Sequence, residues 1–209
     1  MAQLGRRGFL AGVGAAALVV GVGTVPAAAG ATDRWGARNS ANGWPIRSKG
    51  ITEVRVEGSA AVMTVLGGDV AALLGHVARR FHYEIAELGP GDIQGHTADR
   101  RVAAPLESNY LSGTAIALLP TRFPLGATGG LFPHEIAVLR DILADCSATI
   151  RWGGDDPVTP KEGHFELDAT PAAAAKAART LAAAGAIPDP FVPTRRSRAL
   201  ALERHQRRR

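Results

Sequence analysis

Ser108-Asn109-Tyr110-Leu111-Ser112-Gly113-Thr114-Ala115-Ile116-Ala117 is the stretch on which the reading of this chain turns. It changes character midway. Ser108 to Gly113 is polar and loop-like, whereas Thr114–Leu119 is a run of small and aliphatic residues, the pattern of a short buried strand. Further on, Gly163 is followed by His164-Phe165-Glu166-Leu167, a second short strand. Two strands that share a sheet would bring the polar loop and His164 together.

Outward from this pair, the pattern predicts an α+β domain with a small antiparallel sheet flanked by helices, over residues 51–168. Ile51–Glu57 and Ala61–Leu66, separated by Gly58-Ser59, read as a β-hairpin with Val54, Val56, Val62 and Val65 as its apolar positions. Val70, Leu73, Leu74, Val77 and Phe81 recur at helical spacing over residues 69–82, with Asp69 as a suitable N-cap. Gly95–Arg101 leads into a short helix before the central stretch, and Thr121–Gly130 is a Gly/Pro loop after it. Pro133 opens the next helix, whose apolar face is Ile136, Leu139, Ile142 and Leu143. Thr149–Trp152 is a further strand, closed by Gly153-Gly154.

The ends have a different composition. Arg6-Arg7-Gly8-Phe9-Leu10 is a twin-arginine pair followed by an apolar run to Val25 and by Ala27-Ala28-Ala29, so residues 1–31 read as an export signal with a small-residue cleavage site. The run is shorter than the roughly 20 apolar residues a spanning helix needs, which predicts no stable membrane span after cleavage. The expected location is outside the cytoplasmic membrane of a bacterium, reached by the twin-arginine route. Residues 32–50 form an irregular arm lying on the domain, anchored by Trp35 and Trp44. Residues 169–187 are an alanine-rich helix with little apolar bulk to dock, and residues 188–209 are expected to be a disordered basic tail.

Charge follows the same division. The whole chain carries +5, but Arg6, Arg7 and the seven arginines after Pro193 account for it. The remaining body has 15 basic and 18 acidic residues, a net −3, which argues against a nucleic-acid-binding face. Cys146 is alone, so it forms no internal disulfide, and its apolar helical setting predicts a buried small hydrophobe.

The central stretch resembles the S-x-H-x-x-G-x-A-x-D signature of the zinc D-alanyl-D-alanine carboxypeptidases and related endolysin peptidases, which share the hedgehog/DD-peptidase fold. Ser108, Gly113 and Ala115 match, and Gly163-His164-Phe165-Glu166 resembles the motif that carries the family's third ligand. Trp152-Gly153-Gly154-Asp155 resembles the turn before it. The resemblance spans residues 67–168. It implies a cleft for wall peptides lined by Ser108, Tyr110, Gly113, Arg100 and Trp152, with Arg100 or Arg101 facing a substrate carboxylate.

The departures from the family lie where its chemistry does. Zinc hydrolysis needs three protein ligands, an open position for water, and a carboxylate to handle the proton. Tyr110 replaces a histidine ligand and Ala117 replaces the aspartate, so His164 is the one ligand position retained. Lys161 stands at the usual position of the catalytic carboxylate, and Glu162, beside it, is the one candidate substitute.

Two readings follow. The favoured one is an exported, non-catalytic wall protein that takes no cofactor and binds peptidoglycan stem peptides or a wall protein, with Tyr110 filling the ligand space and bonding to His164. The alternative is an active zinc carboxypeptidase or endopeptidase whose metal site is rebuilt from His96, His134, Glu107 or Asp99 around His164. In either reading His164 itself can bond to Tyr110, Glu162 or a backbone carbonyl. A third possibility makes the arginine tail the functional part.

Overall fold

The computed structural model describes residues 32–184 and 193–207. The twin-arginine segment, residues 1–31, lies outside the described residues. Chain order gives β1 (Asp33–Arg34), β2 (Ile51–Arg55), β3 (Val62–Leu66), α1 (Asp69–Glu84), β4 (Ile93–Gln94) and β5 (Arg101–Val102). A 3-10 helix at Pro105–Tyr110 precedes β6 (Ala115–Leu118), α2 (Pro133–Asp145), β7 (Ile150–Trp152), β8 (His164–Leu167), α3 (Pro171–Ala184) and α4 (Pro193–Gln206). The result is a mixed α and β structure with small antiparallel sheets. The largest has the order β4-β6-β8-β7, so the two strands that sequence places far apart are neighbours.

Register within that sheet positions everything that follows. Ala115 faces Glu166, Ile116 faces Phe165, and Ala117 faces His164 across the β6–β8 pair. Side chains alternate between the two faces of a strand, so Phe165 and Leu167 turn to the apolar core while His164 and Glu166 turn to the opposite face. The core face packs on α1 and α2: Phe81 meets Phe165 edge to face at 6.3 Å, with Leu73, Leu74, Ile142 and Leu143 fully enclosed around them.

The hairpin of β2 and β3 pairs Val54 with Met63 and Thr52 with Val65. Its buried positions in β3 are Met63 and Val65, while Val62 is half-buried. The hairpin is tied to the central stretch where Leu66 N–H donates to Gly113 O at 2.8 Å. Gly113 has φ +71°, and a Cβ there would lie 2.8 Å from Leu66 N and 2.6 Å from Ile51 Cδ1. Only glycine combines that backbone conformation with that approach.

Several local expectations need correction. Gly68, with φ 72°, holds the N-cap position of α1, and Asp69 is the first helical residue with no capping side-chain bond. A carboxylate in the first turn still favours the helix through the dipole. Gly95–Arg101 itself is extended, with His96 N–H bonded to Thr64 O at 2.6 Å and Arg101–Val102 paired with β1, and it leads into the expected short helix, a 3-10 turn at Pro105–Tyr110.

Helix α3 docks despite its small side chains. Ala174, Ala177 and Ala178 are buried, and their size allows close approach to α1.

The largest correction concerns the C-terminal segment. Residues 193–206 form α4, where disorder was expected from prolines and like charge. Pro193 sits at the helix start, where its ring is tolerated. Ala199 and Leu202 then form a narrow apolar stripe at i, i+3 spacing that is buried against α2. Gln206 Nε2 donates to Ile150 O at 3.0 Å, fixing the far end of the helix.

Two arginines are buried among carboxylates. Arg80, fully enclosed on α1, reaches Glu84 on its own helix and Asp141 and Asp145 on α2, at 3.0 and 2.8 Å for the latter two. His76 Nε2 lies 3.3 Å from the same Asp145. Burial opposes the charge on Arg80, but Glu84 and Asp141 outweigh it and raise its pKa. Arg140, on α2, pairs with Asp155 and lies 4.8 Å above the Trp152 ring. Among the described residues no helix is long and apolar enough to cross a membrane.

Candidate functional site

Tyr110 closes the 3-10 helix, Ala117 lies on β6 and His164 opens β8. The fold brings all three to one point. Tyr110 Oη lies 2.8 Å from His164 Nδ1, with the rings edge to face at 5.3 Å. Ala117 is the cross-strand partner of His164 and shares a small buried cluster with Tyr110 and Ala115. On the other side, His164 Nε2 lies 2.8 Å from Glu166 Oε2, the same oxygen that accepts from Asn109 Nδ2.

The proton arrangement follows from these partners. Burial, together with the nearby carboxylates of Glu107 and Glu166, pushes the Tyr110 phenol well above its ordinary pKa, so its hydroxyl keeps its proton. The hydroxyl therefore donates to Nδ1, which leaves Nε2 to carry the imidazole proton and donate to Glu166. Every member of the chain Tyr110–His164–Glu166–Asn109 is satisfied. The centre is also sealed: His164 and Ala117 are 0% exposed and Tyr110 is 1% exposed.

Lys161 borders this centre. Its ammonium lies 5.2 Å from the Tyr110 ring centroid and 2.8 Å from Glu107 Oε1. Partial burial alone would raise the Glu107 pKa. The Lys161 hydrogen bond and charge, with the Ala103 N–H, more than offset that and hold the carboxyl below its usual range.

Glu162, the candidate carboxylate, faces elsewhere. Its oxygens accept from Gly129 N–H at 2.7 Å and Gly130 N–H at 2.8 Å, so it fixes the loop before α2. Both bonds leave it a structural clasp rather than a proton carrier poised at His164.

The remaining candidates are dispersed. Ser108 Oγ accepts from Ala41 N–H and donates to Pro105 O. Arg100 donates to Trp35 O and Ala37 O, holding the N-terminal arm. Trp152 Nε1 donates to Glu162 O at 2.6 Å, and Gly153 packs so closely that a Cβ would lie 2.8 Å from His164 Cβ. Ser108, Gly113 and Trp152 are buried, so in this structure they support the site and do not line an open cleft.

His96 bonds to Arg47 O, His134 stacks on Phe132 at the start of α2, Asp99 pairs with Arg101 at the surface, and Glu107 pairs with Lys161. A catalytic zinc takes three protein ligands and leaves one position open. The three converging positions here hold a protonated phenol, a methyl group and an imidazole with both nitrogens engaged. Among the described residues no group of three or more His, Cys, Asp or Glu is placed to hold a metal ion. These residues do not fit a three-ligand zinc centre.

The N-terminal arm is bonded to the residues on either side of the centre. Asn42 Nδ2 donates to Thr114 Oγ1 at 2.8 Å and to Leu167 O at 2.9 Å, and Asn42 N–H donates to Asn109 Oδ1. Ser40 Oγ donates to Ser112 Oγ, and Trp44 Nε1 donates to Ala169 O. The arm thus pins the polar half of the central stretch to the end of β8.

Neither Asn42 nor Glu166 was singled out in the sequence. For Glu166 a signal existed, since i and i+2 share a strand face and place it beside His164. For Asn42 none did.

The cleft of about 630 Å³ lies between α2 and α4, and one of about 360 Å³ lies between Trp44-Pro45 and Asp168–Pro171. Neither is lined by Tyr110, Ala117 or His164. Cys146 is enclosed, and burial pushes its thiol up to about 12, as suits an inert core residue. Comparison with family models, with curated proteins and with solved structures gave no match.

Proposed function

We propose that this chain is an exported cell-wall protein whose D-alanyl-D-alanine carboxypeptidase-like domain binds peptidoglycan stem peptides or a wall protein without hydrolysing them. One observation carries the reading. Tyr110, Ala117 and His164 occupy the three positions that the resemblance assigns to zinc ligands, and these positions meet at a single buried point. Their convergence supports the resemblance.

The chemistry at that point favours binding over catalysis. The Tyr110 ring and hydroxyl fill the space beside His164, the methyl group of Ala117 coordinates nothing, and Lys161 offers a cation where a proton acceptor is needed. With the centre sealed, recognition in this reading belongs to the surface around it. The groove between Trp44-Pro45 and Asp168–Pro171 opens beside the end of β8.

The test uses the purified chain. After equilibration with zinc and removal of excess, elemental analysis should find no retained metal, D-alanine release from a D-alanyl-D-alanine peptide should be absent, and the chain should sediment with purified peptidoglycan. Near-stoichiometric zinc that disappears in His164→Ala, or D-alanine release that disappears with it, would replace this reading with the active peptidase. Absence of peptidoglycan binding would remove the stem peptide and leave the wall protein as the partner to seek.

A further inference from the structure

We infer that the outer face of α4 is a binding surface for a linear polyanion with a repeating phosphate backbone and no bases. The helix has two dissimilar sides. Its inner side is committed to the fold through Ala199, Leu202 and Gln206, the last also accepting from Arg140 Nη1 at 3.3 Å. Its outer side exposes Arg198, Arg204 and His205 around Ala201, with Arg207 at the edge beside its partner Glu203. Residues 198, 201 and 204–205 recur at the spacing that keeps side chains on one helical face. Because the inner side is anchored, Arg198 and Arg204 are displayed on a fixed scaffold and not on a free chain end.

The composition of that face selects the partner. Guanidinium groups match phosphate oxygens in a bidentate manner, and a row of them suits a repeating phosphate backbone. A bilayer needs an apolar face to insert, and the outer side of α4 offers only the methyl of Ala201, since Leu200 lines the cleft beside α2. Single-stranded nucleic acid is held by aromatic stacking as well as charge, and α4 contains no Phe, Tyr or Trp. The body, with its net −3, repels a polyanion elsewhere and directs it to this helix. The inference stands on α4 alone and does not depend on the peptidase-like reading.

Binding of the full chain to inorganic polyphosphate, measured by titration at about 50 and about 200 mM NaCl, tests it. With two to three phosphate contacts, affinity should weaken roughly 7- to 20-fold between the two salt concentrations. Arg198→Glu with Arg204→Glu should weaken binding at the lower salt at least tenfold while circular dichroism and melting stay unchanged. Arg6 and Arg7 are present in both proteins, so the difference belongs to α4. If the reversal disturbs folding, Arg198→Gln with Arg204→Gln should still weaken binding at least threefold. No binding at the lower salt, equal affinity of folded variant and parent, or tenfold tighter binding to phosphatidylglycerol vesicles or single-stranded DNA would each overturn the inference.

Discussion

Tyr110 Oη lies 2.8 Å from His164 Nδ1, and the opposite ring nitrogen lies 2.8 Å from Glu166 Oε2. The imidazole is therefore held between a donor and an acceptor inside the fold, with no lone pair left for a further partner. Tyr110→Phe keeps the ring and removes the donor, leaving Nδ1 buried and unpaired. The expected loss is ~1–3 kcal/mol. Urea unfolding checks it: the midpoint should fall with an unchanged slope, and an unmoved midpoint would show that the hydroxyl is not engaged.

Ala117 and His164 face each other across β6 and β8, with Tyr110 beside them. If these are vestiges of ligand positions, Tyr110→His with Ala117→Asp should create a zinc site. The double variant is expected to retain near-stoichiometric zinc and to melt at a higher temperature with zinc than without, and adding His164→Ala should abolish both. A double variant that folds but retains no zinc would weaken the family resemblance itself.

Glu107 is held below its ordinary pKa against the opposing effect of burial, chiefly by Lys161. A depressed carboxyl stabilises the fold above its unfolded value, near 4.5, and loses that contribution as pH falls through its lower folded value. Glu107→Gln should therefore destabilise the protein at pH 7, and the gap from the parent should narrow as acid protonates the parent's carboxyl. Unfolding midpoints of both proteins measured across this range would reveal it. A gap independent of pH would mean that the Lys161 pair contributes no linkage.

Asn42 joins Thr114 and Leu167, two segments that the sheet alone does not tie to the arm. Asn42→Ala leaves those acceptors without their donor at a cost of about 1–3 kcal/mol. Limited proteolysis should then cut within residues 32–47 faster than in the parent, while the remainder resists. Cleavage at an unchanged rate would show that the other arm contacts suffice.

The strands and helices with strong periodicity were legible because their apolar residues are also their buried ones. Helices α1 and α2 are examples, though α1 runs two residues further than its pattern. Legibility failed where a few contacts decide the outcome. Residues 193–206 look like a charged tail until Ala199 and Leu202 find α2, and two small apolar residues are a faint signal among arginines.

Arg80 reads as a surface residue within an amphipathic helix, yet it is enclosed because carboxylates from two helices surround it. At the candidate site, the placement of Tyr110 beside His164 could be anticipated from motif spacing. The loop-clasping role of Glu162 could not, since its partners are the backbone amides of Gly129 and Gly130.

The arm has a consequence for the order in which the molecule is made. Its acceptors at Leu167 and Ala169 lie 125 residues beyond Asn42 and Trp44. During synthesis the arm leaves the ribosome early and can meet Asn109, Ser112 and Thr114 first, but its bonds to Leu167 and Ala169 must wait until β8 has emerged. Completion of the arm's docking is thus a late event in the life of each nascent chain. Any truncated product ending before β8 would display the polar face of the central stretch to solvent, a surface by which quality control could tell unfinished chains from finished ones.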